Sequence, residues 1–323
     1  MKRLVYLAML FSVCLFFSGC GQEGKAAENL RSIKNFDPGG YERQTLLGGI
    51  PKKVLVLYPG AAEAMLELGL DEYVLQTVDA YGSEPEHLAA GFAALPKVKA
   101  AFLPSQEEVF AMHPELIIGW AHNFSSAELG EPQNWQERGM GVYIVPATLP
   151  GGNLTVENAV YPFIRDLGMI FGVEDRAEIY LAKCRQRVER AENTAAQLPR
   201  ATAIVLQEHG RGSYSLYDTS YLINDVLEKA GLVNLVHGKT SFVGIESVLR
   251  YDPDYLVYVS LPGSDGGELT DDEVRAKVAG NKDLASLRAV KQGKIINVPF
   301  AEVNSGNGRI LDALNRLIEG RIR

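Results

Sequence analysis

Two short sets of side chains carry the chemistry this sequence offers. Tyr58, Tyr81, Trp120, His122 and Thr148 fall in the first half, and Gln207, His209, Arg211, Ser260, Phe300 and Glu302 in the second. Most follow a short apolar run that reads as a strand. The sets are rich in rings, with a few donors and cations, which suits a large, partly flat ligand with polar edges. Trp120 reads either as a ligand contact or as a sheet-end residue packed under its neighbouring loop. His122 and His209 lie at comparable distances past their strands. In one reading they face each other and share a metal, and in the other they are solvated loop residues. Cations near these positions are few: Arg211, Lys239 and Arg309. A highly anionic chelate would need several close together. Gly306-Asn307-Gly308-Arg309 could cradle an anion on its amides, but it lacks the lysine and hydroxyl of a nucleotide loop and reads better as a bare turn.

Catalytic signatures are missing. The sequence has no Gly-x-Ser-x-Gly elbow, no His-Glu-x-x-His helix and no paired cysteines for zinc. Its carboxylates sit on helical stretches and read as solvated faces. The expectation is therefore a binding protein with no catalytic residues and no metal or cofactor of its own. An enzyme using the same residues is the alternative.

The elements that must position these residues follow an α/β pattern. Lys53–Tyr58 is a continuous apolar run suited to a buried parallel strand, followed by a Pro59-Gly60 turn and a short helix; a second strand spans Tyr73–Val78. Ser105-Gln106-Glu107-Glu108 is a capping box opening a helix through Met112, and Leu116–Trp120 and Val142–Val145 are further strands. Thr155–Phe171 supplies a helix. The pattern restarts with Ala203–Gln207, a helix over Tyr221–Ala230, strands near Tyr255–Val259 and Ile295–Val298, and a closing helix from Ile310. Such alternation predicts parallel sheets with crossover helices. Between Gly172 and Pro199, Ala177, Leu181, Cys184, Val188, Ala191, Ala195 and Leu198 recur at steps of four and three, the stripe of one amphipathic helix. At about 1.5 Å per residue it is roughly 35 Å long, enough to bridge two lobes.

The halves partly copy each other. Glu107-Glu108-Val109-Phe110, then three residues to Pro114-Glu115 and a strand, matches Glu246-Ser247-Val248-Leu249, then three to Pro253-Asp254 and a strand. Gly141–Pro146 and Gly293–Pro299 each place a short strand between glycine and proline. Together these predict duplicated lobes. The expected divisions are a leader over 1–20, a tether and irregular lead-in over 21–49, an N-terminal lobe over 50–172, the bridging helix over 173–198 and a C-terminal lobe over 199–323. Ligands in open α/β sheets collect beyond the carboxyl ends of the strands, so the two lobes should enclose a cleft there.

With 323 residues, 46% of them apolar, the chain has material for two cores. Lys2 and Arg3, an apolar run over Leu4–Phe17 and small residues ending at Cys20 read as an export signal, too short to span a bilayer. Removing Lys2 and Arg3 takes the formal charge from −8 to about −10, which argues against nucleic acid or an anionic lipid surface as partner. Of the three cysteines, Cys14 leaves with the leader and Cys184 falls in the helical stripe as a small buried hydrophobe.

Phe17-Ser18-Gly19-Cys20 resembles a bacterial lipobox, whose cysteine is diacylated, with Phe17 in place of the usual Leu. The chain as a whole resembles the helix-linked class of substrate-binding proteins that serve bacterial ABC importers and carry ferric siderophores, haem or cobalamin. Val54–Glu63 is similar to that family's opening strand and Ser-Pro-x-x-Thr-Glu turn, with Tyr58 for Ser and Ala62 for Thr. Glu107–Trp120 and Ile245–Val259 resemble its paired helix and strand segments, with His113 and Glu115 for Lys and Asp. Leu287–Lys294 is similar to its late Ala-Val-Lys-x-Gly-Lys/Arg turn.

The resemblance implies two α/β lobes joined by one helix, and a lipid-anchored, extracytoplasmic, monomeric receptor that delivers an iron chelate to a permease. A corrinoid is the alternative cargo, raised by Trp120. By motif position, Glu63 and Glu246 would be the acids that dock on permease arginines. Tyr58, Tyr81, Trp120, His122, Gln207, His209, Arg211, Ser260, Phe300 and Arg309 would meet the ligand. A stiff bridge should limit closure to a few Å.

Overall fold

The computed structural model describes residues 31–99, 103–238, 240–263 and 267–323. The leader and Cys20 lie outside the described residues, as does Lys239. The chain opens with an antiparallel hairpin, β1 (Arg31–Phe36) and β2 (Glu42–Leu47). The first lobe follows as a four-stranded parallel sheet of β3 (Val54–Val56), β4 (Val74–Thr77), β5 (Leu116–Gly119) and β6 (Gly141–Ile144), ordered β4-β3-β5-β6. Its strands β3, β5 and β6 are buried throughout because helices cover both faces.

The second lobe contains β7 (Ala201–Gly210), β8 (Ser213–Leu216), β9 (Leu232–Asn234), β10 (Thr240–Val243), β11 (Tyr255–Ser260) and β12 (Ile295–Pro299). Its parallel strands run β9-β7-β11-β12, the order of the first lobe, with β7 and β11 in the places of β3 and β5. The helices Gln106–Met112 and Ile245–Val248, which carry the repeated sequence, precede the matching strands β5 and β11. The sequence repeat thus corresponds to a topological one. What the second lobe adds is an antiparallel flap: β7 runs on past the sheet, turns into β8, and β10 pairs with β8.

The bridging helix is Glu174–Ala195. Its buried residues are Ala177, Leu181, Cys184, Val188, Ala191 and Ala195, and Leu198 of the expected stripe lies in the turn beyond its end. This stripe enters a single apolar core that also takes Val56, Ile164 and Phe171 from the first lobe and Val205, Leu227 and Leu314 from the second. The lobes therefore share one core across the helix, and separate clusters fill the outer face of each sheet.

The segment expected as an irregular lead-in is the β1–β2 hairpin. It caps the exposed edge of β6 through side chains: the Asn35 amide donates to the Val142 carbonyl at 2.6 Å, and the Ile144 amide donates back to Asn35 at 3.1 Å. Thr45 also donates to Val142. Buried Asn35 and Thr45 replace the apolar alternation that would have marked these strands.

Candidate functional site

The sharp turn from β3 into the helix Pro59–Glu67 places Tyr58 at the helix N-terminus, with proline at the first helical position. A Cβ at Gly60 would sit 2.9 Å from the Tyr58 ring, so the ring occupies the space that glycine leaves. After β5, the Asn123 side chain accepts from the Trp120 amide at 2.7 Å and fixes the indole beside Tyr58. Thr148, after β6, accepts from the Ala121 amide at 3.0 Å and ties the two loops together.

These turns build an aromatic cluster. Trp120 lies 5.6 Å from Tyr58, 6.2 Å from Tyr81 and 4.9 Å from His122, measured between ring centroids, and Tyr81 meets Phe300 of the second lobe at 5.6 Å. Partial desolvation lowers the His122 imidazole pKa, and Glu128 opposes the shift only in part. Burial pushes the Tyr81 hydroxyl up to about 12, so it remains a donor at physiological pH.

Between the lobes is a cleft of about 410 Å³. Tyr58, Trp120 and Thr148 contribute the first lobe's wall, and Tyr221, Asn304 and Ser305 the second's. Every residue lining it is uncharged. Tyr221, Asn304, Ser305 and Leu154 escaped the sequence reading because none directly follows a parallel strand. Tyr221 opens a helix after an Asx turn in which the Ser220 amide donates to Asp218 at 2.8 Å, and that turn is the signal that could have found it.

The remaining predicted positions separate from this cavity. Gln207 is buried, and its side-chain oxygen accepts from the Tyr217 hydroxyl at 2.8 Å, itself reached by the Asn304 amide at 3.4 Å. Ser260 is buried beside Tyr81 and Phe300 in a small recess. His209 and Arg211 occupy the β7–β8 flap because β7 continues past Gln207 to Gly210, and Arg211 is exposed in the turn at φ 52°. His209 bonds Ser215 at 2.7 Å, whereas His122 packs on Trp120 in the other lobe; no metal-holding group of three or more ligands occurs among the described residues.

Two predicted roles are overturned. Arg309, expected to meet ligand, is 7% exposed; it donates to Glu63 and to the Ser83 carbonyl and approaches Glu268 at 3.4 Å. Glu63, expected to dock on a permease, is 3% exposed and also accepts from Asn307 at 3.0 Å. Its carboxylate is consumed between the lobes and offers no face to a partner.

Glu63 and Arg309 belong to a latch. The second-lobe segment 304–309 is laid against the first lobe: the Tyr58 hydroxyl donates to the Asn304 carbonyl and accepts from the Gly306 amide at 2.6 Å, and Asn307 donates to the Gly60 carbonyl at 2.6 Å. A Cβ at Gly306 would stand 2.8 Å from that of Ala147, so the lobes approach here to the limit that glycine allows. The Gly306–Arg309 stretch is accordingly an interlobe turn, with no open anion cradle. Behind it the charges alternate from Glu63 through Arg309, Glu268 and Arg316 to Glu302. Burial outweighs Arg316 and pushes the Glu302 carboxyl from its ordinary 4.5 up to about 7.

Arg309→Met should leave the Glu63 carboxylate buried without its counter-ion and cost about 3–5 kcal/mol in urea unfolding. Adding Glu63→Gln should recover most of that, and a single-variant loss below about 1 kcal/mol would show the latch to be dispensable. Because Glu302 is raised on folding, its contribution is fully present below pH 4.5 and lost as pH rises through about 7. Asp166, raised to about 6 by burial, acts in the same direction. Buried Glu63 and Asp225 are raised too, so unfolding stability should fall from about pH 5 to 7, and Glu302→Gln should remove part of that fall, up to roughly 3 kcal/mol. An unchanged pH profile in that variant would contradict the assignment.

The sequence profile of a family described as periplasmic binding protein matches residues 54–302. Among solved structures, a periplasmic binding protein from Veillonella parvula is 22% identical with a TM-score of 0.76, covering 90% of this chain and 97% of its own. An ABC-type Fe3+-hydroxamate transport system structure from Saccharomonospora viridis is 24% identical with a TM-score of 0.72, covering 89% and 98%. The periplasmic vitamin B12 binding protein of Vibrio cholerae is 16% identical with a TM-score of 0.62, covering 84% and 97%. At these identities the likeness concerns the fold. No curated protein matches the chain. The profile match over most of the sequence, on two lobes joined by one helix around a cleft, makes the chain a member of the periplasmic binding protein family.

Proposed function

We propose that this protein is the extracytoplasmic receptor of an ABC importer and that its cargo is an iron chelate of low net charge, a ferric hydroxamate-type siderophore in first place. The observation that carries this reading is the cleft lining: aromatic rings with hydroxyl and amide groups, and no Lys or Arg among its residues. A ferric tris-catecholate carries several negative charges, and the two carboxylates of haem ask for cations; neither finds them here. A neutral hydroxamate complex needs only apolar walls and hydrogen-bond partners. The Fe3+-hydroxamate transport structure among the relatives agrees with that cargo. Cobalamin is the second reading, favoured by Trp120 in the cleft wall and by the vitamin B12 binding relative. The receptor holds its cargo unaltered, with no catalytic step.

Delivery requires a surface that the permease can grip. Glu246 is exposed at the second helical position of Ile245–Val248. Glu63 is buried, but the repeat supplies an equivalent: Glu107, exposed at the second position of Gln106–Met112, precedes β5 as Glu246 precedes β11. Two like acids on like helices, one per lobe, make a two-point electrostatic contact with basic permease loops. The lipobox-like Cys20 would hold the receptor at the membrane by its acyl chains, and membrane fractionation of Cys20→Ser checks that.

Ferrioxamine B should quench the fluorescence of Trp120, and Trp120→Phe, which leaves only Trp135, should abolish the quench. Trp120→Ala should weaken binding about tenfold. Saturable binding of cyanocobalamin but not of ferrioxamine B would move the reading to the corrinoid, and turnover of the chelate would replace the receptor by an enzyme. Glu107→Ala with Glu246→Ala should lower chelate uptake at least tenfold in cells and leave binding affinity within about twofold. Loss of affinity instead would place these acids in the cleft.

A further inference from the structure

We propose that the antiparallel flap of the second lobe forms an outer aromatic lip of the cleft, in which Phe242, backed by His209, covers the solvent-facing side of the bound chelate. This rests on the chelate reading above and adds a contact residue to it. Phe242 is 74% exposed, the most exposed large apolar side chain among the described residues, and its φ of 56° is a conformation that a bulky side chain rarely holds. Its ring packs on His209 at 4.6 Å, and the Ser215 hydroxyl binds both the His209 ring at 2.7 Å and the Phe242 amide at 3.3 Å. The ring is thus fixed in place yet contributes little to the core.

The lip is continuous with the cleft. Asn304, in the cleft wall, contacts Tyr217, and Tyr217 contacts Gln207 of β7. Ser215 is the register partner of Gln207, and His209 lies two residues further out on the same strand. At about 3.3 Å per residue that is roughly 7 Å toward the rim. From the other side, Tyr221, also a cleft-wall residue, has its hydroxyl within electrostatic reach of the Ser241 side chain, the neighbour of Phe242. Both routes end at the same aromatic pair. The flap strands β8 and β10 have no counterpart in the first lobe. The one addition to an otherwise repeated architecture therefore carries an exposed ring, strained and held in place, at the cleft mouth.

The test compares wild type, Phe242→Ala, Phe242→Tyr and Phe242→Gly, with ferrioxamine B and cyanocobalamin as probes. Phe242→Ala should raise Kd about tenfold for whichever probe the wild type binds, mainly through faster release, while Phe242→Tyr stays within about threefold. In the free protein, Phe242→Gly should unfold at the same temperature as wild type or higher, because the positive φ suits glycine and little buried surface is lost. A lowered Tm would make Phe242 a packing residue and overturn the lip. Unchanged affinity in Phe242→Ala would overturn it too, including the case in which uptake alone fails and the ring serves the permease. If neither probe binds wild type, the chelate reading fails and takes the lip with it.

Discussion

The close approach of the second lobe's segment 304–309 to the first lobe's turn at Tyr58–Glu63 governs the rest of the structure. It buries a carboxylate and a guanidinium in the same contact, and ties Tyr58, Asn304 and Gly306 together with hydrogen bonds. Tyr58, Asn304 and Gly306 both close the latch and line the cleft, so the cavity takes part of its shape from the joint between the lobes. The bridging helix supplies a second connection through the shared core. The lobes also meet where the Val156 amide donates to Asp225 at 2.8 Å and where Tyr81 packs on Phe300.

A buried ion pair is a poor source of net stability, because removing both charges from water offsets most of their attraction. Its value here is register. Glu63 accepts from Arg309 and Asn307, and Arg309 also reaches Ser83, so sliding one lobe against the other would strand a charge in the core. The charged chain runs behind the cleft through Glu268 and Arg316 to Glu302, while the cleft wall stays uncharged. Keeping the charges at the back leaves the cleft without a strong field of its own.

Much of the fold was legible in the chain. Strands β3, β5, β6, β7, β11 and β12 are marked by apolar runs because helices cover both their faces. The bridging helix is marked by its stripe, and the repeat around Glu107 and Glu246 corresponds to matching helices. The β1–β2 hairpin, β8 and β10 were not legible, since edge strands with one wet face, or with polar groups such as Asn35 turned inward, lack that pattern. In the site, Tyr58, Trp120 and Thr148 could be found because strand ends point into clefts. Glu63 and Arg309 were misassigned for a physical reason: their partnership spans 246 positions, and each looks free until its counter-ion is placed. His209 and Arg211 were displaced by the unexpected extension of β7.

On the proposed function a chelate of low charge sits between the lobes against Trp120. Crystals of the protein loaded with ferrioxamine B, measured at the iron absorption edge, would locate the metal directly. The account predicts one anomalous peak inside the cavity between Trp120 and Asn304. An iron peak in the charged crevice behind Arg309, or bound chelate with the cavity left empty, would contradict it.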